Sequence, residues 1–290
     1  MQQTPLPAFR TLALGLALAA CLSEASGQWS DAMAPHQMEW TRAMEAYENN
    51  QFALALHAFD QLADEQDPAS EACAVATYHA AMSSMSLYHK DASYRIDSFI
   101  TQFPESPLAL EAKWELANHQ YKRRNYNKAL EQFLKIRPRE LPPERRDELR
   151  FKLGHCHFER GKYEEARIQL FDVLELSGPF QAPAQYYFAH VAYINNQPQV
   201  ALDGFQKIAN EPGFSELVPL YIAQLLHATG QYGELKTYAP TLLDAASGLE
   251  ESSRAEVSRL LGDAYYREGN AEDALPHLNT AWDSDQGPEH

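Results

Sequence analysis

The sequence predicts an all-α solenoid of about seven helix-turn-helix units. The first observation behind this is a small residue that recurs at Ala55, Ala92, Ala129, Ala166, Ala201, Leu235 and Ala274, with gaps of 37, 37, 37, 35, 34 and 39 residues. The second is a bulkier partner four positions later, at Phe59, Ile96, Phe133, Leu170, Phe205, Ala239 and Leu278. The third is that each period reads as two amphipathic helices around a turn. A fixed period in this range means stacked supersecondary units rather than one compact core. Arrays of this kind bind partners far more often than they catalyse.

The units fall at about 34–66, 70–104, 107–137, 144–176, 182–210, 216–244 and 253–282. In the second, Pro104 closes the second helix. The third pairs Leu116-Ala117 with Ala129 and Phe133. The fourth is clear: Arg150 to Phe158 carries apolar and aromatic residues at helical spacing, and Gly161 closes the helix as a left-handed residue would. Tyr163 to Val173 then puts Ala166, Leu170 and Val173 on one stripe. Leu217–Leu226 in the sixth, interrupted by Gln224, reads as a buried repeat helix and not a membrane span. The seventh runs Leu261-Gly262 to Tyr265-Tyr266, then Gly269, Ala274 and Leu278. Units two and six are degenerate, since Leu235 and Ala239 reverse the small–bulky order. Gly154 and Gly262, with Ala117, Ala189 and Ala223 in equivalent places, let paired helices approach closely, and bulk there would cost roughly 1–3 kcal/mol. One continuous array is expected, with Arg137–Arg146 and Ser177–Pro183 as longer inter-helix loops.

Asp plus Glu number 40 against 24 Lys plus Arg, a formal net charge of −16. That excludes the basic footprint a nucleic-acid binder needs. It also disfavours an anionic lipid surface. The bland account is solubility of an extended chain.

Arg10 precedes a short apolar run, Thr11–Leu22, too short to span a bilayer and suited to a secretory signal. Two processing routes stay open. Ala25-Ser26-Gly27 offers ordinary cleavage, a 1–27 signal peptide and a mature start at Gln28. Leu18-Ala19-Ala20-Cys21 has the form of a bacterial lipobox, which would remove 1–20 and lipidate Cys21. Either route exports the chain, to the periplasm or to the periplasmic face of an outer membrane. Cys73 and Cys156 lie two repeats apart, too far for the ~7 Å Cα limit of a disulfide, and read as small buried hydrophobes.

Catalytic signatures are missing. There is no Gly-rich phosphate loop, no Gly-x-Ser-x-Gly elbow and no Cys-x-x-Cys pair. His155 and His157 are two apart on a helix and point to nearly opposite sides, so they cannot share a metal. Glu164 and Glu165 are ordinary solvated charges. No cofactor, no metal and no enzyme activity are expected. Some lytic enzymes are α-solenoids, but no acid/base pair in a defined pocket supports that class.

Leu153-Gly154 with Ala166, Leu261-Gly262-Tyr265 with Ala274, and Leu116-Ala117 with Ala129 and Phe133 resemble the tetratricopeptide repeat family. The resemblance implies a right-handed superhelix whose first helices line a concave groove that takes a protein or peptide. Its groove positions fall on Trp40 and Tyr47; Trp114, Asn118 and Tyr121; Phe151, His155 and Phe158; Tyr186, His190 and Tyr193; Leu220, Gln224 and His227; and Arg259, Asp263 and Tyr266. The second unit is bland, with Thr77, Ala81 and Ser84. Such aromatic and amide-rich surfaces anchor peptides, and the same rings also fill space between neighbouring first helices. Family members that clamp a carboxylate-ended tail hold basic residues where this chain has Trp114, Phe151 and Tyr186, so that partner class is not supported.

Phe99 to Pro107, with Ala112 and Tyr121, is similar to junctions in Gram-negative envelope members of the family. Pro104 stops one helix, Ser106 can cap the next and Pro107 suits its first turn. This implies a non-enzymatic interaction scaffold of the cell envelope, or an outer-membrane lipoprotein in envelope or outer-membrane protein assembly. After Trp282 no capping helix is expected in 283–290, so the last unit would expose its stacking face to self-association, to a partner or to a continuing array.

Overall fold

The computed structural model describes residues 37–244 and 249–285. Residues 1–27, where a signal peptide is expected from the sequence, Cys21 and the end of the tail lie outside the described residues. All described secondary structure is helical, with no strand among the described residues. Among the described residues the helices come in seven pairs: α1 (Gln37–Glu48) and α2 (Phe52–Glu65); α3 (Glu71–Ser86) and α4 (Ala92–Gln102); α5 (Leu108–Lys122) and α6 (Tyr126–Phe133); α7 (Pro143–Glu159) and α8 (Tyr163–Leu174); α9 (Gln181–Ile194) and α10 (Pro198–Lys207); α11 (Pro219–Ala228) and α12 (Tyr232–Leu243); α13 (Glu251–Arg267) and α14 (Ala271–Asp285). Where the sequence suggests that the last helix stops near Trp282, α14 runs to Asp285.

Contacts divide the described chain into two compact units that meet between Pro142 and Pro143. The first holds α1 to α6 and a short 3-10 turn, Pro138–Glu140. The second holds α7 to α14. The division falls inside the Pro-rich stretch that reads in the sequence as a loop. Pro138 keeps α6 from continuing, because a proline ring clashes with the preceding turn and offers no N–H.

The turn inside every pair follows one design. Asn50, Tyr88, Arg124, Gly161, Asn196, Gly230 and Gly269 all have positive φ, from 55° to 82°. In each case that residue's N–H bonds back three residues and the next N–H bonds back five, as in Gly161 to Phe158 (2.9 Å) and Lys162 to His157 (2.9 Å). This Schellman closure satisfies the last carbonyls of the first helix. The residue after it then accepts from the recurring small residue, as Lys162 O does from Ala166 N at 2.9 Å. One turn sets the end of one helix and the start of the next, which is why the period is so regular.

The recurring pairs form the core. Ala55, Ala129, Ala166, Ala201 and Leu235 are fully buried, as are Phe59, Ile96, Phe133, Leu170, Phe205 and Ala239. In the first unit Phe59 packs with Ala72, Val75 and Ala76 of the following first helix. Burial of side chains this size contributes about 1.5–3 kcal/mol each. Leu278 stays half-buried, since among the described residues no helix follows α14.

One register in the sequence reading is corrected here. Counting from α4 puts Thr77, Ala81 and Ser84 on the groove. The turn residue Tyr88 instead lies seven after Ala81, the spacing that separates Gly161 from Gly154 and Gly269 from Gly262. Ala81 is therefore the small packing residue of its pair, clustered with Ile96 and Phe99. Ser84 is fully buried, and the positions equivalent to the groove set of the other pairs shift by one to Tyr78, Met82 and Met85, of which Tyr78 and Met82 are themselves buried. The extra residue in α3 is offset by a turn one residue shorter, so the 37-residue count between second helices hides the slip.

Candidate functional site

The first-helix positions behave in three classes. Those nearest the helix start, the exposed Arg259 apart, pack inward, within their own pair or against the next. Trp40 and Trp114 are buried, edge-on to Phe59 (6.1 Å) and Phe133 (6.0 Å) of the second helix. Phe151 is buried against Phe180 at 5.5 Å. Tyr186 repeats the edge-on contact with Phe205 at 6.0 Å but stays half-buried.

The middle positions are mostly enclosed. Asn118 and His155 are buried. The His155 ring lies 4.4 Å from Tyr187, with Nε2 3.2 Å from Glu159. His190 sits among Tyr186 (4.5 Å), Tyr221 (4.7 Å) and Phe205 (5.0 Å). Its Nε2 is buried with no hydrogen-bond partner, and burial lowers its pKa to about 4. It is therefore a neutral ring in a cluster of rings. Gln224 hydrogen-bonds Glu256.

The last positions reach solvent. Tyr193 and Tyr266 are 44% and 64% exposed. Tyr121 stands edge-on to Tyr126 and Phe133 (5.9 and 6.1 Å), and Phe158 edge-on to Tyr187 (5.0 Å). Tyr47 is half-buried against His79 at 4.8 Å, and burial, helped by Glu115 and Glu111, pushes its hydroxyl up to about 12. His227 Nε2 meets Asp263 Oδ2 at 2.5 Å.

Sequence reasoning missed a further position. His79, Tyr187 and Tyr221 each sit two before the small packing residue (Ala81, Ala189, Ala223) and reach back onto the preceding pair. His79 stacks on Phe59 at 5.0 Å. Tyr187 meets Phe151, His155 and Phe158 at 6.2, 4.4 and 5.0 Å. Tyr221 meets His190, Tyr193 and Phe205 at 4.7, 6.2 and 5.2 Å. The signal was an aromatic ring at one fixed offset from the small residue.

Charge is distributed in blocks along the second unit. Residues 176–202 and 217–233 contain no Asp, Glu, Lys or Arg, so α9 and α11 carry no fixed charge. The flanking first helices carry paired ions. On α7, Lys152 pairs with Glu148. On α13, Arg259 holds Glu256 through two bonds (2.7 and 2.8 Å) and Arg267 holds Asp263 at 2.5 Å. Hydrogen bonds from Arg259 and Arg267 hold Glu256 and Asp263 below the usual carboxylate range.

Among the described residues no three His, Cys, Asp or Glu side chains group to hold a metal. Cys73 and Cys156 are free and buried, and burial pushes the Cys156 thiol up to about 12. Among the described residues no helix is long and apolar enough to cross a membrane.

Residues 115–186 match the tetratricopeptide repeat family. No match was found among curated protein sequences. Among solved structures, MamA (AMB-1) aligns with a TM-score of 0.54 at 17% identity, over 63% of this chain and 96% of that one. A tetratricopeptide repeat protein from Parabacteroides merdae gives 0.51 at 12% identity, over 86% and 92%. A signal transduction ATPase with a tetratricopeptide repeat sensor, from Pyrococcus horikoshii, gives 0.56 at 14% identity, over 91% of this chain and 44% of that one. At these identities the likeness is one of fold. The paired helices and these structures show a tetratricopeptide-type helical-repeat fold, and the family match itself spans residues 115–186.

Proposed function

We propose that the chain is a non-enzymatic protein–protein interaction scaffold of the bacterial envelope. A protein or peptide segment would dock on the first helices of the second compact unit. The observation that carries this reading is the run of rings on α9 and α11 that ends in the exposed Tyr193. Trp40, Trp114 and Phe151 are committed to packing, so they support a partner surface indirectly, by holding the first helices in place.

The test is site-specific photocrosslinking in the native host, with a photoreactive phenylalanine at Tyr193 and, separately, at Phe171 on the second helix α8, where the ring is 56% exposed. Adducts at Tyr193 and none at Phe171 are expected. Adducts confined to Phe171 would move the partner to the second-helix face.

Export rests on the apolar run at Thr11–Leu22 and the small residues after it. Intact mass of the mature protein from the envelope fraction tests it. A start at Gln28 makes the scaffold a soluble periplasmic one. An acylated start at Cys21 makes it a lipoprotein and turns attention to assembly of outer-membrane proteins. An unprocessed chain in the cytosol would sink the export reading.

A further inference from the structure

We infer that one edge of the first compact unit, formed by the turns between α3 and α4 and between α5 and α6, holds a short acidic segment of a partner protein. This surface is separate from α9 and α11 and does not depend on the docking reading above. Residues 116–130 contain Lys122, Arg123, Arg124 and Lys128 and no Asp or Glu, in a chain whose net charge is −16. All four are exposed, as are Tyr88 and Lys90 in the preceding turn. The two turns adjoin. The Tyr88 ring lies 6.2 Å from His119, and Gln120 Nε2 donates to Ser93 Oγ at 3.0 Å.

Cations close to this edge in sequence are already matched. Arg95 holds Asp91 and Asp60, Lys135 pairs with Glu131 and Arg137 with Glu140. Among the described residues no carboxylate pairs with Lys90, Lys122, Arg123, Arg124 or Lys128. Helix-end electrostatics explain part of this set, since Lys122 and Arg123 suit the last carbonyls of α5. They do not explain Lys128, in the first turn of α6, where a positive charge opposes the helix dipole. Burial, helped by Arg123 and Lys122, lowers the pKa of His119, so the positive potential reaches a neighbouring ring.

The backbone marks the same two turns. Among the seven closures the left-handed residue is Gly or Asn in five, and the exceptions are Tyr88 (φ 55°) and Arg124 (φ 57°). A bulky side chain is strained there, where glycine is free. Strain kept in two adjoining turns, and in no other closure of the described residues, points to a use for those two side chains.

Sign, chemistry and extent fix the occupant. Guanidinium groups take carboxylates through two parallel hydrogen bonds. Tyr88, 75% exposed, offers an apolar face beside the charges. The closure of the first pair, at Asn50, follows the exposed Glu45 and Glu48. The positive edge therefore ends on that side after two turns. A short acidic segment fits this extent, whereas a nucleic-acid strand or a bilayer continues past it and meets those acids.

The experiment is calorimetric titration of the full chain with blocked peptides of equal length. One is built from Glu and Asp around a central Leu, one has every acid replaced by its amide, and one has every acid replaced by Lys. A single-stranded DNA oligonucleotide and phosphatidylglycerol vesicles are titrated alongside. The acidic peptide should bind with an affinity that falls steeply as salt rises, and the amide and Lys peptides should bind at least about tenfold more weakly. Arg123→Ala and Arg124→Gly should each weaken the acidic peptide by about fivefold. Arg124→Gly should also raise the thermal unfolding midpoint, so its weaker binding cannot come from a damaged fold. Arg139→Ala, an exposed cation beyond the far end of α6, should change the affinity by less than about twofold. The inference is overturned if the amide peptide binds equally well, if Arg139→Ala weakens binding as much as Arg124→Gly, or if no peptide binds. Tighter binding of the oligonucleotide or the vesicles would overturn it in favour of that class of partner. Loss of the acidic peptide in Tyr193→Ala would assign it to α9 and α11 and overturn the inference while leaving the docking reading in place.

Discussion

A methyl group placed on Gly154 would lie 2.7 Å from Cγ of Leu170, on the helix that pairs with it. Gly262 stands in the same relation to Leu278, also at 2.7 Å. Gly204 and Ala189 make the contact from the opposite side, where a methyl on the second-helix glycine would fall 2.8 Å from Ala189 Cβ. These three pairs of helices are thus closed to the point where one extra carbon has no room.

Gly154→Ala should therefore lower stability. Overpacking costs about 1–3 kcal/mol, and the gain in helix propensity returns about 1 kcal/mol, leaving a net loss of about 1 kcal/mol. Gly233 in α12 has nothing within 4 Å of an added methyl, so Gly233→Ala should be neutral or stabilise by about 0.5 kcal/mol. Urea unfolding midpoints should rank Gly233→Ala at or above the parent and Gly154→Ala below it. Equal midpoints for Gly154→Ala and the parent would mean the paired helices separate without cost.

The seven turns allow a matched comparison. Tyr88 adopts φ 55° and Gly161 φ 69° in the same closure. A side chain in the left-handed region costs about 1 kcal/mol, and for a bulky residue it is an outlier. Tyr88→Gly should stabilise by up to about 1 kcal/mol and Gly161→Ala should destabilise by a similar amount. Thermal unfolding of the two variants checks the sign of each. The same direction of change in both would mean the turns are not equivalent.

Ser84 gives a further prediction from the corrected register. Its hydroxyl is fully buried in α3 with no hydrogen-bond partner. An unmet buried hydroxyl costs about 1–3 kcal/mol, so Ser84→Ala should stabilise by about 1 kcal/mol. Loss of stability instead would indicate a partner bound to that hydroxyl, such as an ordered water.

What was legible in the sequence follows from what repeats. Ala166 and Leu170 were readable because the core residues of each pair must recur at the helix-pair spacing. Gly161 and Gly269 were readable as turn closers because glycine takes positive φ freely. Tyr88 and Arg124 were not, because such residues give no local sign of a left-handed conformation that the surrounding closure imposes on them. The slip in α3 stayed hidden because its extra residue and its shorter turn cancel in the period. Family positions for the groove fall on the first helices, but position alone does not say how deep a ring sits. Trp114 is buried and Tyr266 is exposed, at sites that read as members of one stripe. Tyr221, one residue after the family position at Leu220, is not legible from that stripe, because its ring reaches back onto His190 and Phe205 of the preceding pair. The uncharged run of residues 176–202 was in plain view, and the whole-chain charge of −16 masked it.

His79 and His190 lead to a prediction about acid. Each is enclosed by rings: His79 by Tyr47, Phe59 and Tyr78 (4.8, 5.0 and 5.1 Å), His190 by Tyr186, Phe205 and Tyr221. Burial lowers both to about 4 from the ordinary 6.5. Between those values the unfolded chain takes up protons at these sites and the folded chain does not. Stability contributed by the neutral rings is therefore complete above pH 6.5 and falls as pH drops toward 4. By pH 5 the loss is about 2 kcal/mol per fully enclosed histidine, an upper bound for rings that are partly accessible. His119 and His157 are lowered by burial too and add to the same limb. The carboxylates of Asp263 and Glu256, held down by arginines, lose their contribution only at lower pH. Unfolding free energies measured at pH 7 and pH 5 should differ less in His190→Phe than in the parent, by about 1–2 kcal/mol, and likewise in His79→Phe. An undiminished difference in both variants would mean that these rings open to water and take up protons without leaving the fold.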